Sequence, residues 1–271
     1  MSVILRAWLL GSLLAVAAVG SGCGGAPTLA ADVRARALGF EAHAGAVPRW
    51  SRWGRVGDLR FLEVVVGTDE VDATLPMVLA LHGFADGPRV PDGPYLGRAR
   101  PYRMVLPEGP VEVAAGRAWS AWRVRDERPD ELAHDLDAQV APLVELVEIL
   151  RIARPTRGRP VLLGYSQGGH LALTLAVRSP RTFARAIPMA AWLPPALLPA
   201  APPEVPLPIR GVHARDDERV PLALTEAVYG ALAERGWDAR LEIVPGPHAP
   251  TAAIDAFAAR ELDVALLALD P

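Results

Sequence analysis

The sequence predicts an α/β fold: a mostly parallel central sheet with helices on both faces. Three observations point to it. Continuous apolar runs such as residues 77–82 (MVLALH) and 161–165 (VLLGY) read as strands covered on both sides. Segments with apolar residues at helical spacing lie between such runs, and the two kinds alternate along the chain. The 271 residues are 51% hydrophobic and 22% charged, which supplies ample apolar surface to offset chain entropy.

The elements follow in order. Residues 60–66 (RFLEVVV), 77–82 and 103–106 (RMVL, closed by Pro107) are the first strands. A helix is predicted over 130–152, where Leu132, Leu136, Val140, Leu143, Val144, Val147 and Leu150 share helical spacing. Asp130 and Glu131 suit its N-terminal dipole, and Pro142 is a point of kinking. Then come strand 161–165, helix 170–178, and strands at 185–189 and 209–214. Helix 221–235 has proline in its first turn. Strand 240–244 and a final helix 251–269, capped by Thr251 or Pro250, complete the chain. Residues 188–208 hold eight prolines. They form a stiff connection, too poor in helical pattern for a large lid domain. No internal repeat is present.

The N-terminus reads as a targeting segment. Arg6 precedes an apolar run of 13 residues, 7–19. That run is shorter than the roughly 20 residues needed to span a bilayer and has the length of a signal-peptide core. Gly20-Ser21-Gly22-Cys23 resembles the bacterial lipoprotein signal. The resemblance implies removal of residues 1–22, lipidation of Cys23, and export with membrane contact only through that lipid. Gly20 departs from the aliphatic residue the pattern prefers. Cleavage after Ala30, giving a periplasmic or secreted protein, and a retained membrane anchor are the alternatives. Residues 23–55 are then a tether and lead-in, and 56–271 the folded α/β domain.

Several function classes are excluded. Cys23 is the only cysteine, so neither an intramolecular disulfide nor a cysteine-based zinc site is available. The formal charge of −3 argues against a nucleic-acid partner. All 28 basic residues are arginine, which removes Schiff-base and P-loop lysines. No glycine-rich dinucleotide pattern follows a strand. His134 and Asp137 stand three apart on the predicted helix and read as a solvated face. We therefore expect neither a metal nor a cofactor. Oligomeric state is not encoded in any pattern we recognise.

The chemistry centres on Gly164-Tyr165-Ser166-Gln167-Gly168-Gly169, between an apolar strand and an apolar helix (LALTLAV). G-x-S-x-G is informative in that context. A sharp strand-to-helix turn leaves no room for flanking side chains and lifts the serine hydroxyl above the sheet. His170, on the helix, reads as a packed or capping residue.

Three segments together resemble the α/β-hydrolases, in their phospholipase/carboxylesterase branch, which includes acyl-protein thioesterases. They are LALHGFADG (79–87), VLLGYSQGGHLALTLA (161–176) and GVHARDDERVP (211–221), with weaker support from RAWSAW (117–122). The likeness covers roughly residues 60–270. It implies a Ser–acid–His triad in that chain order. Only His213 and His248 follow His170. His213 precedes the acid candidates, whereas His248 lies in a loop at the C-terminal end of the sheet, where ligands bind. Aligned on the family pattern H-G-x-x-D-x-x-V-P, Asp217 takes the acid position, with Asp216 as the alternative; Ala214 stands where the pattern has glycine. The resemblance places the oxyanion donors on the backbone N–H groups of Phe84 and Gln167. Trp119 and Trp122 are expected in a loop lining an apolar substrate pocket, with Trp192 and the proline-rich stretch opposite.

The expected activity is hydrolysis of carboxylic esters of small-molecule or acyl substrates by a serine esterase. Lack of a lid domain favours short-chain or soluble esters over long triglycerides. A thioesterase, or an esterase acting on polymer or carbohydrate esters, would use the same triad. A non-catalytic binding protein on the same fold is the alternative of another class.

Overall fold

The computed structural model describes residues 50–269 apart from 92, 97 and 99. The predicted signal segment, Cys23 and Ala30 lie outside the described residues. Eight strands form one sheet in the order β1-β2-β4-β3-β7-β8-β9-β10. They are β1 (Trp50–Val56), β2 (Leu59–Val66), β3 (Leu75–Leu81), β4 (Tyr102–Pro107), β7 (Thr156–Tyr165), β8 (Arg185–Met189), β9 (Ile209–Ala214) and β10 (Ala239–Val244). Every neighbouring pair from β4 to β10 is parallel, and β2 runs antiparallel to both β1 and β4. A separate hairpin joins β5 (Val111–Val113) to β6 (Gly116–Ala118).

The pleat sends alternate residues to two cores. Met77, Leu79 and Leu81 of β3 join the first, with α1 (Pro129–Ala138), α2 (Val140–Ala153), α3 (Gln167–Arg178) and α4 (Leu222–Glu234). Val78 and Ala80 join the second, under α5 (Ala252–Ala268). This two-sided burial is why the central strands read as unbroken apolar runs.

Three details depart from the sequence reading. The predicted helix 130–152 is two helices separated at Gln139. Pro142 has no N–H for the carbonyl four residues back, and its ring crowds that turn. The break therefore falls just upstream of it. At the end of the expected lead-in and one residue past it, residues 50–56 form strand β1, paired with β2 from Trp50↔Val65 to Val56↔Leu59. Its two arginines and lack of a clean apolar face hid it. The β5–β6 hairpin, only three residues per strand, was also not expected.

An ionic cluster ties β2 to the N-terminal ends of the parallel strands. Glu63, fully buried, lies 2.8 Å from Arg52, 2.7 Å from Arg103 and 2.9 Å from Arg154. Burial pushes the Arg103 guanidinium down to about 10, so it stays charged at neutral pH. The C-terminal ends of the strands are at the opposite edge, and the site lies there.

Candidate active site

Ser166 sits between the end of β7 and the first residue of α3, with φ 53° and ψ −119°. Such a left-handed backbone is strained for a residue with a side chain. It persists because its surroundings leave no alternative. The Ser166 N–H donates to the Met189 carbonyl at 2.9 Å, and its carbonyl accepts from the His170 N–H at 2.9 Å. Glycine is required on both sides: a Cβ on Gly164 would meet the Gly168 carbonyl oxygen at 2.2 Å, and one on Gly168 the Leu81 carbonyl oxygen at 2.2 Å.

His248 comes from the loop between β10 and α5. Its Nε2 is 2.9 Å from the Ser166 Oγ, and its Nδ1 is 2.7 Å from the Asp217 Oδ2. Asp217 stands just after β9 and is 8% exposed. Its Oδ1 accepts from the Arg219 and Val220 backbone N–H groups at 2.9 and 2.8 Å. Burial alone would raise its pKa. The hydrogen bonds from His248 and the two amides outweigh that and hold the carboxyl below its usual value. Asp216 is exposed, and its described contact is a backbone hydrogen bond to Gly246. Of the two aspartates, the structure joins Asp217 to the histidine.

The loop after β3 faces the serine. Phe84 and Gln167 both line a cavity of about 450 Å³ that also contains Ser166 and His248. Among the described residues neither of their amide N–H groups meets a backbone acceptor. Ala85, with φ 57°, turns the loop. Backbone bonds between Asp86 and Arg117, at 2.8 and 3.2 Å, brace it against the β5–β6 hairpin. His82 Nε2 accepts from the Gly109 N–H at 2.9 Å, which leaves Nδ1–H to donate to the Gly83 carbonyl at 2.8 Å. Burial lowers the His82 pKa, consistent with this neutral ring.

Trp119 and Trp122 lie in the expected loop, but neither lines the cavity over Ser166. Trp119 is fully buried and lines neither the Ser166 cavity nor its neighbour. Its indole N–H donates to the His82 carbonyl at 2.9 Å, and its backbone N–H to the Gln167 side-chain oxygen at 2.8 Å. The Gln167 amide in turn donates to the Ser120 and Trp122 carbonyls at 2.9 and 3.1 Å. These bonds lock the loop after β3 to the serine turn. Trp122 packs beneath Arg128, 4.8 Å from ring centroid to guanidinium, away from the cavity wall. Trp192 is likewise buried and off that wall. An aromatic residue signals burial in sequence, but not whether it faces a pocket or packs a loop onto the body. The wall is instead built from loops that bring Phe84, Arg123, Val124, Tyr165 and Arg219 to it.

Three side chains support the site that sequence reasoning gave no role. Glu218 accepts the His248 backbone N–H at 3.2 Å. His213, fully buried on β9, is 3.3 Å from Asp217 and 2.8 Å from the Val220 carbonyl. The side chain of Gln167 is the third. Their partners lie tens of residues away or across a turn, so no local pattern reveals them. His170 is a packed residue whose Nδ1 accepts the Trp192 N–H at 2.9 Å. Among the described residues no group of three or more potential ligands could hold a metal.

The family model for phospholipase/carboxylesterase matches residues 69–252, which include Ser166, Asp217 and His248. The chain belongs to the phospholipase/carboxylesterase family. It is a hydrolase of the esterase type on an α/β-hydrolase fold. Solved structures share that fold. Esterase PE8 is 22% identical with a TM-score of 0.61, over 74% of this chain and 99% of its own. The Bacillus cereus carboxylesterase is 16% identical with a TM-score of 0.59, over 75% of this chain and 93% of its own. Acyl-protein thioesterase 2 of Zea mays is 18% identical with a TM-score of 0.55, over 75% of this chain and 98% of its own. No curated protein matches the chain.

Proposed function

We propose that this family member is a serine esterase that cleaves carboxylic esters through an acyl-enzyme on Ser166. The observation that carries the reading is the unbroken hydrogen-bonded chain Ser166–His248–Asp217, at 2.9 and 2.7 Å. A serine hydroxyl is a weak nucleophile at neutral pH and needs a base within hydrogen-bond reach. His248 Nε2 takes the Ser166 proton as the oxygen attacks the ester carbonyl. Asp217 holds the opposite N–H and stabilises the imidazolium that forms. The carbonyl oxygen becomes an oxyanion that accepts from the Phe84 and Gln167 N–H groups. His248 returns its proton to the leaving alcohol, and the same groups then activate water against the acyl-enzyme. Fixed donors need no reorganisation as charge develops, which is why the braced loop matters.

Export rests on the sequence of residues 1–22 alone. A lipid on Cys23 would tether the enzyme at a membrane surface.

Labelling with a fluorophosphonate probe, together with turnover of p-nitrophenyl acetate, tests the mechanism. Wild-type protein is expected to label and turn over; Ser166→Ala is expected to do neither. Equal labelling of both proteins would remove Ser166 from the mechanism. Absence of turnover in a folded, labelled wild type would point to a binding protein instead.

A further inference from the structure

The cavity over Ser166 is lined by three arginines, Arg123, Arg125 and Arg219, and by one carboxylate, Asp86. The chain as a whole carries a formal charge of −3, so this wall opposes the sign of the molecule. Asp86 is paired with Arg89, which stands outside the cavity. Asp217 lies behind His248, off the wall. Arg123 is matched by Asp126: its Nε and Nη2 donate to that carboxylate at 3.0 and 2.9 Å, and its backbone N–H does so at 2.8 Å. Arg219 stands 3.7 Å from the Glu218 carboxylate, beyond hydrogen-bond reach. Arg125 is exposed and has no ion-pair partner among the described residues. These pairings leave a surplus of one positive charge facing the cavity.

Local structure fixes where that charge sits. The Arg123–Asp126 bonds cap the 3-10 turn Val124–Asp126, which carries Arg125 at its centre. The Arg123 guanidinium lies 5.2 Å from the Phe84 ring centroid, so the turn packs against the loop after β3. Arg219 follows Asp217 by two residues, and its backbone N–H is held on Asp217 Oδ1 at 2.9 Å. It lines the cavity with Val220 and His248. His248 returns its proton to the departing alcohol, so Arg219 stands on the alcohol side. A guanidinium with uncommitted donors recognises a carboxylate through two parallel hydrogen bonds. One uncompensated charge suits a monoanion rather than a dianion.

We propose that this cavity selects esters whose leaving alcohol carries a carboxylate, held by Arg125 and Arg219. The proposal rests on the Ser166 acyl-enzyme reading for the turnover it directs, but not for binding of the anion. Neutral esters enter the same cavity without this contact. Charge-assisted hydrogen bonds on a wall open to water give a preference of about five- to tenfold.

Two measurements on the full chain test it, one without turnover. In Ser166→Ala protein, NMR titration is expected to show p-acetoxybenzoate binding about five- to tenfold tighter than p-acetoxybenzamide, its neutral isostere. Adding Arg125→Gln or Arg219→Gln is expected to remove most of that preference. With Ser166 intact, the ratio of kcat/KM for the same two esters should favour the carboxylate by a similar factor. The ratio should shrink as salt is raised to about 0.5 M and fall toward unity in Arg125→Gln. Arg260→Gln, which removes an exposed charge on α5 outside the cavity, should keep the ratio. Equal binding of the two esters to Ser166→Ala protein, or an equal loss of preference in Arg260→Gln, overturns the site whatever the role of Ser166. Tighter binding of p-acetoxyphenyl phosphate than of p-acetoxybenzoate overturns the assignment to a monoanion. An equal preference for phenyl hydrogen adipate over phenyl hexanoate, where the charge is on the acyl part, overturns the assignment to the alcohol. Selective binding of p-acetoxybenzoate without turnover of any ester by the wild type would instead refute the serine reading alone.

Discussion

Replacing Asp217 by asparagine removes a charge while keeping the volume of the side chain. The consequence can be worked from the hydrogen bonds. Two backbone N–H groups, of Arg219 and Val220, point at Oδ1 at 2.9 and 2.8 Å. An asparagine must keep its oxygen there, because its NH₂ cannot accept. The NH₂ then occupies the Oδ2 position, 2.7 Å from His248 Nδ1. That nitrogen must become an acceptor, so the ring proton moves to Nε2, and Nε2 can no longer take the Ser166 proton. A wrong tautomer in otherwise intact geometry costs about 10⁴ in turnover, or roughly 5 kcal/mol of transition-state stabilisation. The assay is kcat/KM on p-nitrophenyl butyrate, with thermal unfolding as the folding control. Asp216→Asn, at an exposed position, should stay within about twofold, since surface changes fall within about 0.5 kcal/mol. A loss in Asp216→Asn but not in Asp217→Asn, or less than a tenfold loss in Asp217→Asn, would refute the reasoning.

Three further perturbations read other parts of the molecule. Burial pushes the His170 imidazole down to about 4, whereas in the unfolded chain it titrates near about 6.5. The unfolded state therefore binds a proton that the folded state refuses. Stability is complete above about pH 6.5 and declines by about 3 kcal/mol as the pH falls toward 4. His170→Asn keeps an acceptor for the Trp192 N–H, so urea midpoints between pH 7 and 4.5 should fall less steeply; unchanged slopes would contradict this. Glu63→Gln leaves three buried or half-buried guanidinium groups without their shared carboxylate, and should cost about 3–5 kcal/mol in urea unfolding with little change in activity of the folded enzyme. A cost under about 1 kcal/mol would show the cluster to be dispensable. The Tyr165 hydroxyl is buried without a hydrogen-bond partner among the described residues. Tyr165→Phe should thus be neutral or stabilising by up to about 1–2 kcal/mol; clear destabilisation would mean the oxygen is satisfied.

The strands and the serine turn were legible because each is a local pattern. Residues 185–189 and 209–214 matched β8 and β9 end to end, since most of each strand is apolar and buried. β1 escaped because an edge strand has little apolar face to show: Arg52 and Arg55 alternate with tryptophans. The two tryptophans after β6 lie in the expected loop but off the cavity wall for a related reason. A buried indole whose N–H meets a carbonyl, as Trp119 does, has the same sequence signature as one that lines a pocket.

Local sequence by itself determined the alternation of elements, the strained turn at Ser166 and the short list of histidines and carboxylates able to serve it. Those follow from backbone sterics and periodicity, which act over a few residues. Tertiary structure alone decided which aspartate meets His248 and which side chains tie the loop after β3 to the serine turn. Those depend on groups brought together from 31 to 82 residues apart, and a hydrogen bond's partner at that range is set by how the layers pack.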